Sequence, residues 1–282
     1  MIESKTEITS AAVALHYDEL DNFYREIWGE HVHHGLWLTG RESAERAAVQ
    51  LAELVAREAG IEKGSRVCDV GCGYGATARL FARDDGAEVT ALTVSPAQHE
   101  FACAKEPGSG NPLYVLGDWL KNELPAESFD AVIAIESSEH MGDKPAFFAQ
   151  AARVLRHGGR CVVTAWLARE NASALENRLI LEPVCREGRM ASMGTASDYQ
   201  GMFEAAGFRF GEFRDLTRQV KNTWPVCAWR FFIGLCRNPA YARFLFNRHK
   251  SNRIFALTMF RIWLAYNTGT MRYGIFTADK PA

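Results

Sequence analysis

Apolar positions recur every three to four residues through residues 6–30 and again from Ser43 to Ala59, which predicts two amphipathic helices. Ser43 stands where an N-cap belongs and Gly60 where a helix stops. The period then changes. Arg66–Val70, Glu88–Thr93, Leu113–Leu116, Phe129–Ile135 and Arg160–Ala165 are short apolar runs that read as strands. Between them Ala76–Arg83, the segment opening at Pro96, and Lys144–Leu155 read as helices. The run at 129–135 is apolar on both alternating faces, as in a strand buried on both sides. This alternation predicts an α/β fold with a mostly parallel sheet covered by helices. Beyond it, Ser197–Ala206 reads as helix, Phe208–Leu216 as strand, 225–268 mainly as helices, and Tyr273–Thr277 as a last strand.

The 282 residues, 48% of them apolar, suit one domain with an insertion. The pattern divides it into an N-terminal helical lid (1–60), a core (61–169), a substrate cap (170–268) holding one core strand near 208–216, and a final strand (272–278). No apolar run reaches 18 residues, and the polar start lacks the look of a signal peptide. Seven irregularly spaced cysteines indicate a reducing, cytoplasmic setting without a disulfide framework or zinc site. The net charge of −2 hides an asymmetry. From Leu216 to Ala278 there is no Asp or Glu, but ten Lys or Arg between Arg218 and Arg272, Arg248, Lys250 and Arg253 among them, interleaved with Trp and Phe. Such a stretch suits an anionic substrate, a peripheral membrane contact, or pairing with the acidic remainder of the chain. It is too apolar for a simple phosphate track, so no nucleic acid is expected.

Asp69-Val70-Gly71-Cys72-Gly73-Tyr74-Gly75 sits where the first strand turns into a helix. Glycine lets a backbone turn tightly and approach a ligand, and open α/β sheets bind ligands at the carboxyl ends of their strands. The spacing is not that of dinucleotide enzymes, and Thr93 stands where those would carry an acid. The segment resembles motif I of the Rossmann-like methyltransferases. Leu92-Thr93-Val94-Ser95-Pro96-Ala97-Gln98 resembles the second motif of the tocopherol methyltransferase and cyclopropane fatty acid synthase groups, and Gly117-Asp118-Trp119 resembles their adenine-recognising turn. The resemblance implies a seven-stranded, mostly parallel sheet with N-terminal helices and a helical cap insertion. It also implies S-adenosyl-L-methionine as cofactor (S-adenosyl-L-homocysteine as product), held by Asp69, Gly71, Cys72, Gly73, Thr93, Gln98, Asp118 and Trp119.

His16-Tyr17-Asp18, the stretch Phe23–Trp37, and Ile135-Glu136-Ser137-Ser138-Glu139-His140-Met141 look like the γ-tocopherol methyltransferase-like group, over roughly residues 14–166. That likeness places His33 or His34 near the methionine carboxylate, makes Tyr17 a closing residue, and makes His140 the base or orienter, with Glu136 beside it. Neighbouring histidines such as His33 and His34 point to opposite sides of an extended chain, so no metal is expected. The expected reaction is methyl transfer to a small hydrophobic or amphipathic acceptor: a phenol, a prenylated quinol or a natural-product amine, at C, N or O. A cyclopropane-synthase-like modification of lipid acyl chains, or a non-catalytic cofactor-binding homologue, stands as the alternative.

Overall fold

The computed structural model describes residues 1–108, 110–246 and 255–282; Arg248, Lys250 and Arg253 lie outside them. The main sheet comprises β1 (Arg66–Val70), β2 (Glu88–Thr93), β3 (Leu113–Leu116), β4 (Phe129–Ile135), β5 (Leu155–Ala168), β6 (Arg209–Asp215) and β7 (Met271–Asp279). Their order is β3-β2-β1-β4-β5-β7-β6. Strands β1 to β5 are parallel to their neighbours, with Val70 opposite Leu92 and Asp69 opposite Ile133, while β7 runs antiparallel between β5 and β6. The strand order reverses at β1 and β4, and that crevice is where such sheets bind ligands. This is the seven-stranded, mostly parallel sheet that the resemblance implies.

The helices are α1 (Ser10–Ile27), α2 (Ala44–Ala59), α3 (Ala76–Asp84), α4 (Pro96–Lys105), α5 (Lys144–Val154), α6 (Glu182–Glu187), α7 (Ala196–Ala205), α8 (Thr217–Val220), α9 (Thr223–Arg237), α10 (Pro239–Phe246) and α11 (Phe255–Thr268). Local chemistry sets their ends. Ser43 accepts from the Arg46 N–H to start α2, and Gly60, in the left-handed region, stops it. Ser95 accepts from the Gln98 N–H and Pro96 fills the first turn of α4. Helix α1 begins later than its apolar period suggests, because Thr9 caps it by accepting from the Ala12 N–H.

Two departures have clear causes. Strand β5 is longer than the run 160–165, because Leu155 pairs with Phe129 at one end and Ala168 with Met271 at the other, contacts distant in sequence. The first residues, Ile2–Glu3, are not a loose tail: they pair antiparallel with Ser192–Met193 and tie the N-terminus to the segment over the sheet. Part of the basic stretch does pair with the acidic remainder, through Arg230–Glu45, Arg261–Glu187 and Arg272–Asp215. No described helix is long and apolar enough to cross a membrane.

Candidate active site

The turn after β1 is shaped for a ligand. Its first glycine, Gly71, has φ +80°, and a Cβ there would stand 2.3 Å from the Ser137 Cβ at the end of β4. Gly73 has φ +56°, and a Cβ there would meet only the Gln98 Nε2, at 4.0 Å. The space this leaves belongs to a cavity of about 600 Å³ lined by Gly71, Gly73, Thr93, Gln98, Gly117, Trp119 and Ser137, and covered by Val13 and Tyr17 of α1. Thr93 Oγ1 donates to Gln98 Oε1 at 2.8 Å, fixing both at the rim. Beneath the turn Asp69 is buried, burial raises its carboxyl to about 7, and its Oδ2 has no hydrogen-bond partner. A turn whose Gly73 leaves open space, beside the Thr93–Gln98 pair and Trp119 at the strand ends, fits a nucleoside with an amino-acid tail.

Helix α1 is stitched to all three loops around this cavity. Ser10 Oγ donates to Asp118 Oδ2 at 2.7 Å, Ser95 Oγ donates to Asp18 Oδ1 at 2.5 Å, and Tyr74 OH donates to Asp21 Oδ1 at 2.8 Å.

A second cavity, of about 720 Å³, lies on the other side of a wall formed by Tyr17, Val32, Glu136 and His140, which line both. The rest of its lining is largely aromatic and apolar, Tyr24, Trp28, Trp166 and Trp224 with Met190, Met259 and Ile262, and its polar part is His16, His33, His34, Glu139, Glu187 and Thr258. The rings of Trp28 and Trp166 each meet Trp224 edge-on, at 6.0 and 5.5 Å between centroids. Such walls hold apolar molecules, and a few fixed polar groups orient them.

Those polar groups are tightly specified. Glu136 has φ +54°, uncommon for a residue with a side chain, and its carboxylate takes four hydrogen bonds: Oε1 from the His34 N–H and the Tyr273 hydroxyl, both at 2.7 Å, Oε2 from His34 Nδ1 at 2.9 Å and Trp166 Nε1 at 2.7 Å. Burial works to raise its pKa; the His34 ring and the N–H donors outweigh it and bring it to about 2. His140 follows in the turn Ser138–His140. Its Nδ1 meets the Arg189 carbonyl at 2.8 Å, which can only accept, so the proton sits on Nδ1. Nε2 is then a lone pair, and it receives the Tyr17 hydroxyl at 3.0 Å. Burial lowers the pKa of His140 and raises that of Tyr17, which keeps both neutral. Glu139, which lines only the second cavity, accepts from the Trp166 N–H at 2.6 Å, and burial pushes its carboxyl up to about 7.

The sequence-predicted residues divide accordingly. Gly71, Gly73, Thr93, Gln98 and Trp119 meet around the first cavity, and Tyr17, Glu136 and His140 meet at the shared wall. Four sit otherwise than expected. His34 lines the second cavity instead of the cofactor side, because Glu136 and Trp224 hold its ring between them; Trp224 Nε1 donates to His34 Nε2 at 2.9 Å. The Cys72 thiol is buried in the apolar core behind the turn. Asp69 supports the turn from below and does not reach the cavity surface. The Asp118 carboxylate points to Ser10 and to the Leu120 N–H, which it caps at 2.9 Å. Sequence reasoning missed the aromatic box. Trp224 carried a signal as part of the aromatic stretch 224–266, and Trp166 as a residue near the carboxyl end of a core strand; nothing joined them to each other or to Trp28.

Comparison with known proteins follows this geometry. The family model described as mycolic acid cyclopropane synthetase matches residues 4–272. Tocopherol O-methyltransferase of Arabidopsis thaliana is 29% identical over 99% of this chain and 84% of its own length. The 27-O-demethylrifamycin SV methyltransferase of Amycolatopsis mediterranei is 29% identical over 98% of this chain and 99% of its own. Among solved structures, the cyclase SpnF superposes with a TM-score of 0.80 at 27% identity, covering 99% of both chains. The cyclopropane synthase MmaA2 of Mycobacterium tuberculosis superposes with a TM-score of 0.83 at 18% identity over 98% of this chain and 100% of its own, a likeness of fold.

Proposed function

Because this chain belongs to the mycolic acid cyclopropane synthetase family and is an S-adenosylmethionine-dependent methyltransferase, we propose that it methylates a hydroxyl-bearing small hydrophobic acceptor, a phenol or quinol first and an amine second. The observation that carries this reading is the shared wall: one histidine lone pair stands between a nucleoside-shaped cavity and an aromatic one.

Bound there, the cofactor supplies a methyl group on a sulfonium, a leaving group that needs no activation. Gly73 leaves it room, Thr93, Gln98 and Trp119 bound its nucleoside end, and Asp118 holds Ser10 of α1 over it. The protein's own work is alignment and dryness. Trp28, Trp166 and Trp224 hold the acceptor's apolar body against the wall. Its hydroxyl takes the place of the Tyr17 hydroxyl at His140 Nε2, which accepts the proton as the oxygen takes the methyl group. Glu136, with four bonds already made, orients His34 and Trp166 rather than moving protons. Residues 1–60 are the lid over both ligands, and the described residues of 170–268, apart from strand β6, form the acceptor's cap.

A second reading, attack by an acyl-chain alkene, is favoured by the family itself. One experiment separates the two: labelled cofactor offered to phenolic, quinol, amine and unsaturated-lipid acceptors, with product masses and fragments. Methyl ethers or methylated amines support the proposal, whereas a methylene added across an alkene refutes it. His140→Ala should cut turnover ~10²–10⁴-fold while leaving calorimetric affinity for adenosylhomocysteine unchanged. Undiminished turnover would remove His140 from the reaction.

A further inference from the structure

Among the described residues the exposed Trp and Phe side chains are four, and all stand on two helices: Trp229 (62% exposed) and Phe232 (55%) on α9, Phe260 (57%) and Trp263 (40%) on α11. Each pair is three residues apart and stacked, at 6.0 Å and 25° for the first and 5.8 Å and 27° for the second. Leu257 extends the stripe on α11. The two helices pack against each other, and their opposite faces supply Trp224, Met259 and Ile262 to the acceptor cavity. One layer of helix thus separates the aromatic outer face from the place where the apolar acceptor is held.

Charge gives this face its partner. It lies within the stretch Leu216–Ala278, which has ten Lys or Arg and no acidic residue. Arg237 and Arg243 are exposed there and make no ion pair with a described acidic residue. Aromatic side chains in this number on open surface are unusual. Trp and Phe flanked by Arg, on helices too short or too polar to span, match what lies in the headgroup layer of an anionic bilayer. We propose that the outer face of α9 and α11 docks on an anionic lipid surface, from which an apolar acceptor enters the cavity beneath it. The entry of the acceptor rests on the functional reading above; the docking does not.

The test is flotation of the full-length protein with vesicles of phosphatidylcholine alone or mixed with phosphatidylglycerol. The wild-type protein should float with the mixed vesicles, be released by salt, and bind phosphatidylcholine alone weakly. Trp229→Ser/Phe232→Ser and Phe260→Ser/Trp263→Ser should each lower flotation about 10-fold or more, with calorimetric affinity for adenosylhomocysteine unchanged as the measure of intact folding. Absence of flotation, or variants that float like wild type, overturns the proposal. So does a concentration-dependent dimer in sedimentation equilibrium that these variants abolish without any flotation, which would assign the face to a second copy of the chain. Methyl transfer to detergent-dispersed acceptors runs independently of vesicles, so its loss would strike the functional reading and leave the docking face standing.

Discussion

Gly71 and Gly73 make the sharpest test of the cofactor cradle, because alanine should harm each for a different reason. At Gly71 a methyl would lie 2.3 Å from the Ser137 Cβ, inside packed protein, at φ +80°. Left-handed strain of ~1–2 kcal/mol and overpacking of ~1–3 kcal/mol together give ~2–5 kcal/mol, a large part of the ~5–15 kcal/mol that holds a domain folded. At Gly73 the methyl would stand in open cavity with φ +56°, so the fold loses only ~1–2 kcal/mol. The bound nucleoside instead meets the methyl, and ~1–3 kcal/mol of crowding weakens its Kd ~5- to 150-fold. Urea denaturation with unchanged m-value reads the first effect and calorimetric titration with adenosylhomocysteine reads the second. A Gly71→Ala protein with a wild-type urea midpoint, or a Gly73→Ala protein with wild-type affinity, would refute the cradle as drawn here.

The other expectations concern single groups. Since burial lowers the His140 pKa, the acid limb of kcat/KM should fall below pH 6.5; a limb at or above that value would show that another group is the base. Glu136→Gln puts an amide N–H against donors that now find only oxygen, and should cost ~1–3 kcal/mol of stability at pH 7. The carboxylate's pKa is depressed from 4.5 to about 2, so its contribution is present above pH 4.5 and is lost as pH falls through 2; the gap between wild type and variant must narrow over that window in urea titrations. Asp118→Ala removes the acceptor that holds Ser10 of α1 over the nucleoside cavity and should weaken adenosylhomocysteine binding ~10-fold by calorimetry; an unchanged Kd would show that this contact does not help close the cavity.

Local signals carried well into three dimensions here. Ser43, Gly60, Ser95 and Pro96 end helices through neighbours a few residues away, and the glycine turn needs only its own backbone. The cofactor side was therefore legible where motifs sit at strand ends. The acceptor side was not. Trp28, Trp166 and Trp224 come from three separate elements, and their spacing carries no period that a single sequence shows. His34 illustrates the same limit: its neighbours in sequence say nothing of Glu136 and Trp224, which decide where its ring faces. Asp118 was placed correctly on its turn, but the hydroxyl that holds its carboxylate belongs to Ser10, 108 residues earlier.

That bond is one of three by which α1 grips the loops around the nucleoside cavity, and the same helix carries Tyr17, whose hydroxyl occupies His140 Nε2. One helix therefore borders both cavities. Were α1 to leave its loops, the nucleoside cavity would lose Val13 and Tyr17, and the shared wall would lose Tyr17 at the same time. A substitution that loosens α1 is thus expected to disturb nucleoside and acceptor together, not one alone.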